Sequence, residues 1–258
     1  MNIFHSIVFG AVEGITEFLP ISSTAHLEIV QNIMRIPSTD FVKSFEIVIQ
    51  LGAIFAVLAL YIKKIFSSWQ YFRSVAVAFI PTGIIGFVLY KIIKNIFLGN
   101  LPLAALMLIL GGIFIIIFEK RQARRGKYLE TGETRALTVR EALAVGTAQA
   151  LAVVPGVSRS AAVIIAGRSL GLSRATIVEF SFLLAIPTML AASVYDLYKS
   201  GSVFSGADWK MLAVGFIVSF LVALFSVRWL LRYIKKHSFS AFGWYRIALG
   251  VIVLLFFI

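Results

Sequence analysis

The sequence contains no cysteine among its 258 residues and only three histidines. Without thiols, the chain cannot form disulfides, zinc–thiolate centres or cysteine nucleophiles. The three histidines, His5, His26 and His237, are spread along the chain. They leave little room for a histidine-rich metal site.

Charged side chains are scarce, at 14% of the chain, whereas soluble domains carry about 25%. Because 60% of the residues are hydrophobic, the chain lacks a polar coat and lipid is its natural solvent. The formal charge of +12 arises mostly from short Lys and Arg runs between apolar segments. The positive-inside rule explains such runs, so we expect no nucleic-acid partner. The first apolar stretch lacks the basic start of a signal peptide, and we assign it to the mature protein.

Six apolar stretches approach the length of about 20 residues that a membrane-crossing helix needs. They cover residues 44–62, 73–93, 101–118, 175–198, 209–234 and 241–258. Four further stretches are shorter and form two pairs, each interrupted by a proline-containing turn: 4–18 with 22–34, and 138–153 with 158–169. Short helices can enter and leave the membrane on one side if protein buries their backbone ends. The sequence thus predicts an all-α membrane protein with six transmembrane helices and four short re-entrant helices.

The order of two short and three long stretches occurs twice, which indicates an internal repeat. Gly10 matches Gly146, and Glu13 matches Gln149, at the same offset of 136 residues. An odd number of spans in each half gives the second half the opposite orientation, and such inverted repeats place their site at the repeat interface. We therefore predict a single membrane domain over 1–258, with a first inverted repeat at 1–118, a cytoplasmic basic loop at 119–137 and a second inverted repeat at 138–258.

The basic loops predict the orientation of the chain in the membrane. Lysine and arginine concentrate near residues 63–73, in 119–140 and in 232–236, and the predicted spans place all three segments on one side. That side should be the cytoplasm. The first short pair then opens to the outer face, and the C-terminus lies outside.

Glu13 and Glu17 are four residues apart, so a helix places both carboxylates on one face. Two like charges in apolar surroundings repel each other and are costly to desolvate. A proton, a divalent cation or an arginine must compensate them. Oxygen-only ligation beside phosphate suits Mg²⁺ or Ca²⁺, with Glu13 and Glu17 as the ligands.

Three hydroxyl residues, Ser22, Ser23 and Thr24, follow the first proline turn at a helix start. One interpretation is that they serve as helix caps and nothing more. The other is that they form an anion site together with the helix N-terminus. His26 lies three residues after Ser23, so the two side chains can share a face. Ser23 as nucleophile with His26 as base, His26 as direct nucleophile, and water activated by a glutamate all remain open. Ionisable groups inside a membrane are usually functional, which argues against a purely structural role.

The turn at Pro155 places a second set of anion-binding groups at a short helix start. Its arginine, Arg159, can grip phosphate oxygens with two parallel hydrogen bonds, or it could merely neutralise Glu13 or Glu17. The two short helices would direct their N-termini at a common point from opposite sides. The predicted phosphate-binding residues are Ser22, Thr24, Gly156, Ser158, Arg159 and Ser160.

Two motifs carry a resemblance to a known family. They are Glu13-Gly14-x-Thr16-Glu17-Phe18-Leu19-Pro20-x-Ser22-Ser23-Thr24-x-His26 and Pro155-Gly156-x-Ser158-Arg159-Ser160. The chain resembles the undecaprenyl-diphosphate phosphatase family, also known for bacitracin resistance, over nearly its whole length.

The resemblance implies a bacterial inner-membrane enzyme. It would hydrolyse undecaprenyl diphosphate to the monophosphate and inorganic phosphate, recycling the lipid carrier of cell-wall polymers. It also implies a divalent cation and a site accessible from the outer face. The functional residues that it implies are Glu13, Glu17, Ser23, His26, Ser158 and Arg159.

Three positions depart from the family pattern. Ala25 and Ala161 stand where glycine is usual, and Val163 replaces a threonine. Added methyl groups could obstruct a close approach of phosphate to the backbone. These changes bear on normal turnover and not on the family fold.

A polyprenyl-phosphate flippase or secondary transporter with the same anion site is the main alternative, because inverted repeats are common in transporters. The Ser23–His26 pair beside two carboxylates argues against it, since transport needs no nucleophile. The sequence leaves open the prenyl chain length, the identity of the cation and the presence of a homodimer.

Overall fold

The structure is a computed structural model that describes residues 1–124, 134–200 and 204–257. Within these ranges the chain is helical and contains no β-strand. A π-helical segment at Ile93–Phe97 and a 3-10 segment at Ala150–Val153 interrupt the α-helices. The α-helices are α1 (Ile3–Thr16), α2 (Ser23–Ile33), α3 (Asp40–Ser67), α4 (Trp69–Ile92), α5 (Leu101–Arg124), α6 (Val139–Gln149), α7 (Arg159–Ser169), α8 (Arg174–Ser200), α9 (Gly206–Tyr233) and α10 (Ser240–Phe256).

Five of these helices are long and apolar enough to cross a membrane, which makes the chain a multi-pass membrane protein. The apolar spans are Asp40–Lys63, Trp69–Phe97, Leu101–Arg124, Arg174–Lys199 and Gly206–Tyr233. They correspond to five of the six predicted spans. The sixth predicted span, 241–258, corresponds to α10, whose 17 residues rise about 25 Å, the lower limit for a crossing.

Helix α5 continues past the predicted boundary at residue 118 and ends at Arg124. The reason is a buried ion pair in its last turns, where Arg174 Nη2 lies 2.7 Å from Glu119 Oε2. Because Glu119 has this partner inside the protein, the helix stays packed beyond its apolar stretch. The loop predicted at 119–137 therefore begins as helix, and its centre, residues 125–133, lies outside the described ranges.

Polar residues define where several helices begin. Thr138 and Glu141 form a reciprocal capping box at the start of α6, and Ser205 and Asp208 form one at the start of α9. Each box satisfies backbone N–H groups that the first helical turn leaves unpaired. Such local signals explain why these starts lie close to the predicted ones.

Each short helix at the start of a half packs against a long helix of the chain, and the long helices pack against one another. Helix α1 packs against α9 and α6 against α4, α3 contacts α8 and α9, and α8 contacts α4, while α5 and α10 lie along each other. Glycine permits close crossings of the short helices with the long ones. A methyl group at Gly10 would lie 2.5 Å from the Gly215 carbonyl oxygen, and one at Gly146 would overlap the Ala78 carbonyl oxygen. At these glycines the short helices α1 and α6 therefore pack directly against the backbones of α9 and α4.

Candidate active site

Two bends of the same kind precede α2 and α7. Ser22 and Ser158, the N-cap residues of these helices, have φ angles of 70° and 72°. This left-handed conformation costs a non-glycine residue about 1–3 kcal/mol, and such strain concentrates at functional sites. Each bend leaves the N-terminus of a short helix beside a turn, an arrangement suited to binding anions.

The bends meet at a cavity of about 160 Å³ between the N-terminal and C-terminal halves of the chain. Most of the predicted site residues lie on its wall: Glu17, Ser22, Ser23, Thr24, Gly156, Ser158 and Arg159. Long helices add further polar side chains, Gln50, Thr82 and Thr188, and α6 adds Gln149. The fold therefore brings together two motifs that lie far apart in sequence. Glu13, His26 and Ser160 lie behind this wall.

Glu17 connects the two motifs through its two carboxylate oxygens. The Ser23 hydroxyl donates a hydrogen bond of 2.5 Å to Oε2. Arg159 Nε and Nη2 each donate to Oε1 at 3.2 Å. The same guanidinium donates through Nη1 to the Ser181 carbonyl oxygen at 2.7 Å. The predicted pairing of Arg159 with a glutamate is therefore present in this structure, and it involves Glu17.

Glu13 lies one helical turn before Glu17 and is fully buried. Neither of its carboxylate oxygens has a hydrogen-bond partner in the described part of the chain. Its charged neighbours are Glu17, Glu46 and Arg159. A buried carboxylate without a partner is costly, so this position calls for a compensating proton or cation.

His26 does not bond to Ser23, although the spacing of three residues predicts a shared face. Its Nδ1 lies 2.7 Å from the Ser22 carbonyl oxygen, and its Nε2 lies 2.8 Å from the Tyr245 hydroxyl. A carbonyl oxygen only accepts, so Nδ1 carries a proton. The imidazole also stacks on the Tyr245 ring, with an interplanar angle of 8°. Both ring nitrogens are therefore engaged, and the carboxylate that contacts the Ser23 hydroxyl is that of Glu17.

The two serines of the second motif tie the turns together. The Ser160 hydroxyl donates to the Leu19 carbonyl oxygen at 2.8 Å, and it lies 3.1 Å from the Ser158 hydroxyl. Ser158 also caps α7 by accepting from the Ala161 N–H. Gly156, with φ 88°, passes so close to α5 that a methyl group would contact the Ala104 carbonyl oxygen. Of these residues, Ser158 and Gly156 reach the cavity, while Ser160 links the first turn to the second.

Known proteins are similar to this chain over its whole length. The family model for bacitracin resistance protein BacA matches residues 6–252. The chain belongs to the BacA family. A protein of Aquifex aeolicus named undecaprenyl-diphosphatase is 50% identical over 258 residues, covering 100% of both chains. Proteins of the same name from Sulfurihydrogenibium and Thermus thermophilus are 47% and 41% identical, and each alignment covers 100% of this chain and at least 98% of the relative.

The three residues that the resemblance marks as departures, Ala25, Ala161 and Val163, lie away from the cavity wall. Ala25 is fully buried in an apolar cluster with Leu101 and Leu108. Ala161 and Val163 are buried in the main apolar core. None of the three lines the cavity of the candidate site. Their side chains therefore pack against protein and do not form part of the cavity wall.

The residues present fit the divalent cation that the sequence predicts. Glu13 offers two buried carboxylate oxygens that have no hydrogen-bond partner within the described ranges, and Glu17 lies one helical turn away. Carboxylate and hydroxyl oxygens beside a phosphate site are ligands that Mg²⁺ and Ca²⁺ prefer. No cluster of three or more His, Cys, Asp or Glu occurs in the ranges that the structure describes. Phosphate oxygens and water would have to complete the coordination.

Two residues of the site, Tyr245 and Arg246, were missed by sequence reasoning. Both lie on α10, and Arg246 is fully buried. A signal was available, because Arg246 is the one charged residue in the predicted span 241–258. An arginine in the middle of an apolar helix is expensive, which should have marked α10 as part of the site.

Proposed function

We propose that this protein is an integral membrane phosphatase that hydrolyses undecaprenyl diphosphate to undecaprenyl phosphate and inorganic phosphate. The observation that carries the proposal is the meeting of Glu17, Ser23 and Arg159 in one cavity of a chain whose full-length relatives are named undecaprenyl-diphosphatase. The activity would recycle the lipid carrier of cell-wall polymers in the bacterial inner membrane.

Ser23 is the proposed nucleophile. Its hydroxyl gives its proton to Glu17, and its Oγ attacks the terminal phosphorus of the diphosphate. The bond from this phosphorus to the bridging oxygen breaks, and undecaprenyl phosphate leaves. Water then hydrolyses the phosphoserine to inorganic phosphate and regenerates Ser23. The 2.5 Å hydrogen bond between Ser23 and Glu17 supports this order over one in which His26 takes the proton.

Arg159 is the proposed phosphate-binding arginine. It pairs with Glu17 in the structure, and that attraction weakens when Glu17 accepts the proton of Ser23. The guanidinium is then free to bond phosphoryl oxygens while charge develops on them. The N-terminal N–H groups of α2 and α7 stabilise the same charge. Proton transfer and phosphate binding are thereby linked through one carboxylate.

Glu13 and Glu17 are the residues that would hold a divalent cation. When bound, Mg²⁺ or Ca²⁺ would neutralise part of the diphosphate charge. Among the residues that the structure describes, none donates a hydrogen bond to the Glu13 carboxylate, which leaves its two oxygens available for this role.

We also propose the inverted-repeat architecture, with α10 as the sixth span, repeats at 1–118 and 138–258, and a basic cytoplasmic loop between them. Three pairs of positions that are 136 residues apart support it. Ser22 and Ser158 both have positive φ, and so do Arg35 and Gly171. Gly10 and Gly146 each lie where a short helix crosses a long helix closely. The helix pairs support it too, because α1 with α9 corresponds to α6 with α4. In this topology the first turn opens to the outer face, where the substrate would enter.

Phosphate release from a polyprenyl diphosphate by the purified protein in detergent, with Mg²⁺ or Ca²⁺, tests the function. We expect release by the wild type and a loss of at least about 100-fold in kcat/KM for Arg159→Lys, which cannot bond two oxygens in parallel. Arg168→Lys, a buried arginine near the end of α7, is the matched control. Lipid binding without release under either cation would reject hydrolysis and favour a flippase.

A further inference from the structure

Arg246 on α10 holds both turns of the candidate site through their backbone. Its Nη1 donates to the Pro20 carbonyl oxygen of the first turn and to the Val157 carbonyl oxygen of the second, each at 3.2 Å. Its Nη2 donates to the Gly156 carbonyl oxygen of the second turn at 2.6 Å. The guanidinium therefore bridges two segments that are more than 130 residues apart in sequence.

Helix α5 supplies the remaining acceptors. Nη2 donates to the Met107 carbonyl oxygen at 3.1 Å, and Nε donates to the Leu108 carbonyl oxygen at 3.4 Å. A guanidinium has five N–H donors, and these bonds use all five. No carboxylate pairs with Arg246 in the described part of the chain. Its burial is thus compensated entirely by main-chain carbonyls, unlike that of Arg174, which pairs with Glu119.

Gly111 of α5 leaves the space that the Arg246 side chain occupies. A methyl group at Gly111 would overlap the guanidinium of Arg246. The preceding residue, Tyr245, reaches the same site, since its hydroxyl lies 2.8 Å from His26 Nε2. Two consecutive residues of α10 therefore contact the first turn, the second turn and the imidazole behind them.

We propose that Arg246 is a positioning residue that sets the two turns in register, keeps three of their carbonyl oxygens away from a diphosphate in the cavity, and leaves the Ser158 N–H directed toward it. The N–H groups of Ile21 and Val157 instead donate to carbonyl oxygens within the turns. This proposal rests on the phosphatase function proposed above. A trans peptide points its N–H away from its C=O, so the bond from Arg246 to the Val157 carbonyl directs the Ser158 N–H to the opposite side. Carbonyl oxygens would repel a phosphate, and Arg246 binds three of them from the turns. The positive charge also adds to the anion-attracting field without touching the reacting atoms.

Arg246→Lys is the informative variant, because lysine keeps the charge but offers three donors from a single atom and cannot reach five carbonyls. Arg174→Lys is the control for changing a fully buried arginine outside the site. Thermal unfolding in detergent first establishes that both variants fold. We expect kcat of Arg246→Lys to fall by about 100-fold with KM for the lipid changed less than about threefold, since misplaced catalytic groups mainly cost the transition state. Arg174→Lys should keep kcat within about threefold.

A second measurement reports the position of the turns without any chemistry. The chain has no cysteine, so nitroxide labels can be attached to single cysteines introduced at Ile15 and Leu151, which are exposed and lie just before the two turns. Electron paramagnetic resonance then gives the distribution of distances between the labels. Arg246→Lys should broaden this distribution relative to the wild type, and Arg174→Lys should not.

The outcomes separate the proposal from the function on which it rests. If folded Arg246→Lys retains kcat within threefold, or loses kcat while the label distribution stays as narrow as in the wild type, Arg246 does not position the turns. If the wild type releases no phosphate, the phosphatase function fails. In that case a broadened distribution in Arg246→Lys still supports the bridging role, and an unchanged one rejects it.

Discussion

The Ser23 hydroxyl donates a 2.5 Å hydrogen bond to Oε2 of Glu17, and both residues are buried. The other oxygen of the same carboxylate accepts from Arg159 at 3.2 Å. Glu17 therefore controls both the proton of the proposed nucleophile and the direction of the proposed phosphate-binding group. A proton on Glu17 would therefore alter its contacts with both Ser23 and Arg159.

Removal of the proposed nucleophile should abolish turnover. We expect Ser23→Ala to lower kcat by at least about 10³-fold, as the loss of a nucleophile does in other hydrolases. Ser193→Ala is a matched control, because Ser193 is fully buried, donates to the Ile47 carbonyl oxygen and does not line the cavity. Initial rates of phosphate release check both. A Ser23→Ala enzyme that keeps more than a tenth of the wild-type rate would show that another group attacks phosphorus.

The covalent intermediate should be a phosphoserine. Substrate labelled with ³²P in the terminal phosphate, quenched in acid after a few turnovers, should leave label on the protein, because serine phosphate esters survive acid. His26→Gln should still form this adduct, since both nitrogens of His26 are engaged with Ser22 and Tyr245. Label that is lost in acid, and absent from His26→Gln, would identify His26 as the nucleophile.

Glu13 should govern the response to divalent cations. We expect Glu13→Gln to raise the Mg²⁺ or Ca²⁺ concentration for half-maximal activity by about tenfold or more, since it removes a charged oxygen ligand. Glu28→Gln is the control: Glu28 is a buried glutamate that accepts from the Gly99 N–H outside the cavity. Cation titrations of both variants after treatment with a chelator provide the measurement. Identical titrations for Glu13→Gln and the wild type would remove Glu13 from the cation site.

The close crossing of α1 and α9 should not tolerate a side chain. At Gly10 a methyl group would lie 2.5 Å from the Gly215 carbonyl oxygen, so the helices would have to separate. We expect Gly10→Ala to destabilise the protein by about 1–3 kcal/mol through overpacking. Gly86 in α4 has open space at the same position, so Gly86→Ala should be neutral or stabilising by up to about 1 kcal/mol. Thermal unfolding of the two variants side by side tests this, and equal midpoints would contradict the packing argument.

Local signals in the sequence predicted where most of the helices and turns lie. Long apolar runs, proline turns and capping residues act over a few positions, so they predict where each helix begins. They also predict that the hydroxyl residues and Arg159 lie at helix starts. In the structure these residues line the cavity. The end of α5 was predicted too early because the partner of Glu119 is Arg174, which is distant in sequence.

The choice of partners within the site could not be read from spacing alone. Ser23 and His26 are three residues apart, yet the left-handed bend at Ser22 accompanies a bond from Ser23 back to Glu17. His26 in turn bonds to Tyr245, 219 positions away. The contacts of Arg246 depend on five carbonyl groups from three separate segments, and no sequence pattern encodes the direction of a carbonyl.

The small volume of the cavity has a consequence for selectivity. About 160 Å³ is well below the 300–1,000 Å³ of pockets that enclose a whole drug-sized ligand. The space suits a headgroup, while the isoprenoid tail must remain among the exposed apolar side chains and the surrounding lipid. Discrimination among substrates would then rest on the polar end and on residence in the bilayer. Diphosphates with shorter tails should differ from the natural lipid chiefly in how strongly they partition into the membrane or detergent micelle.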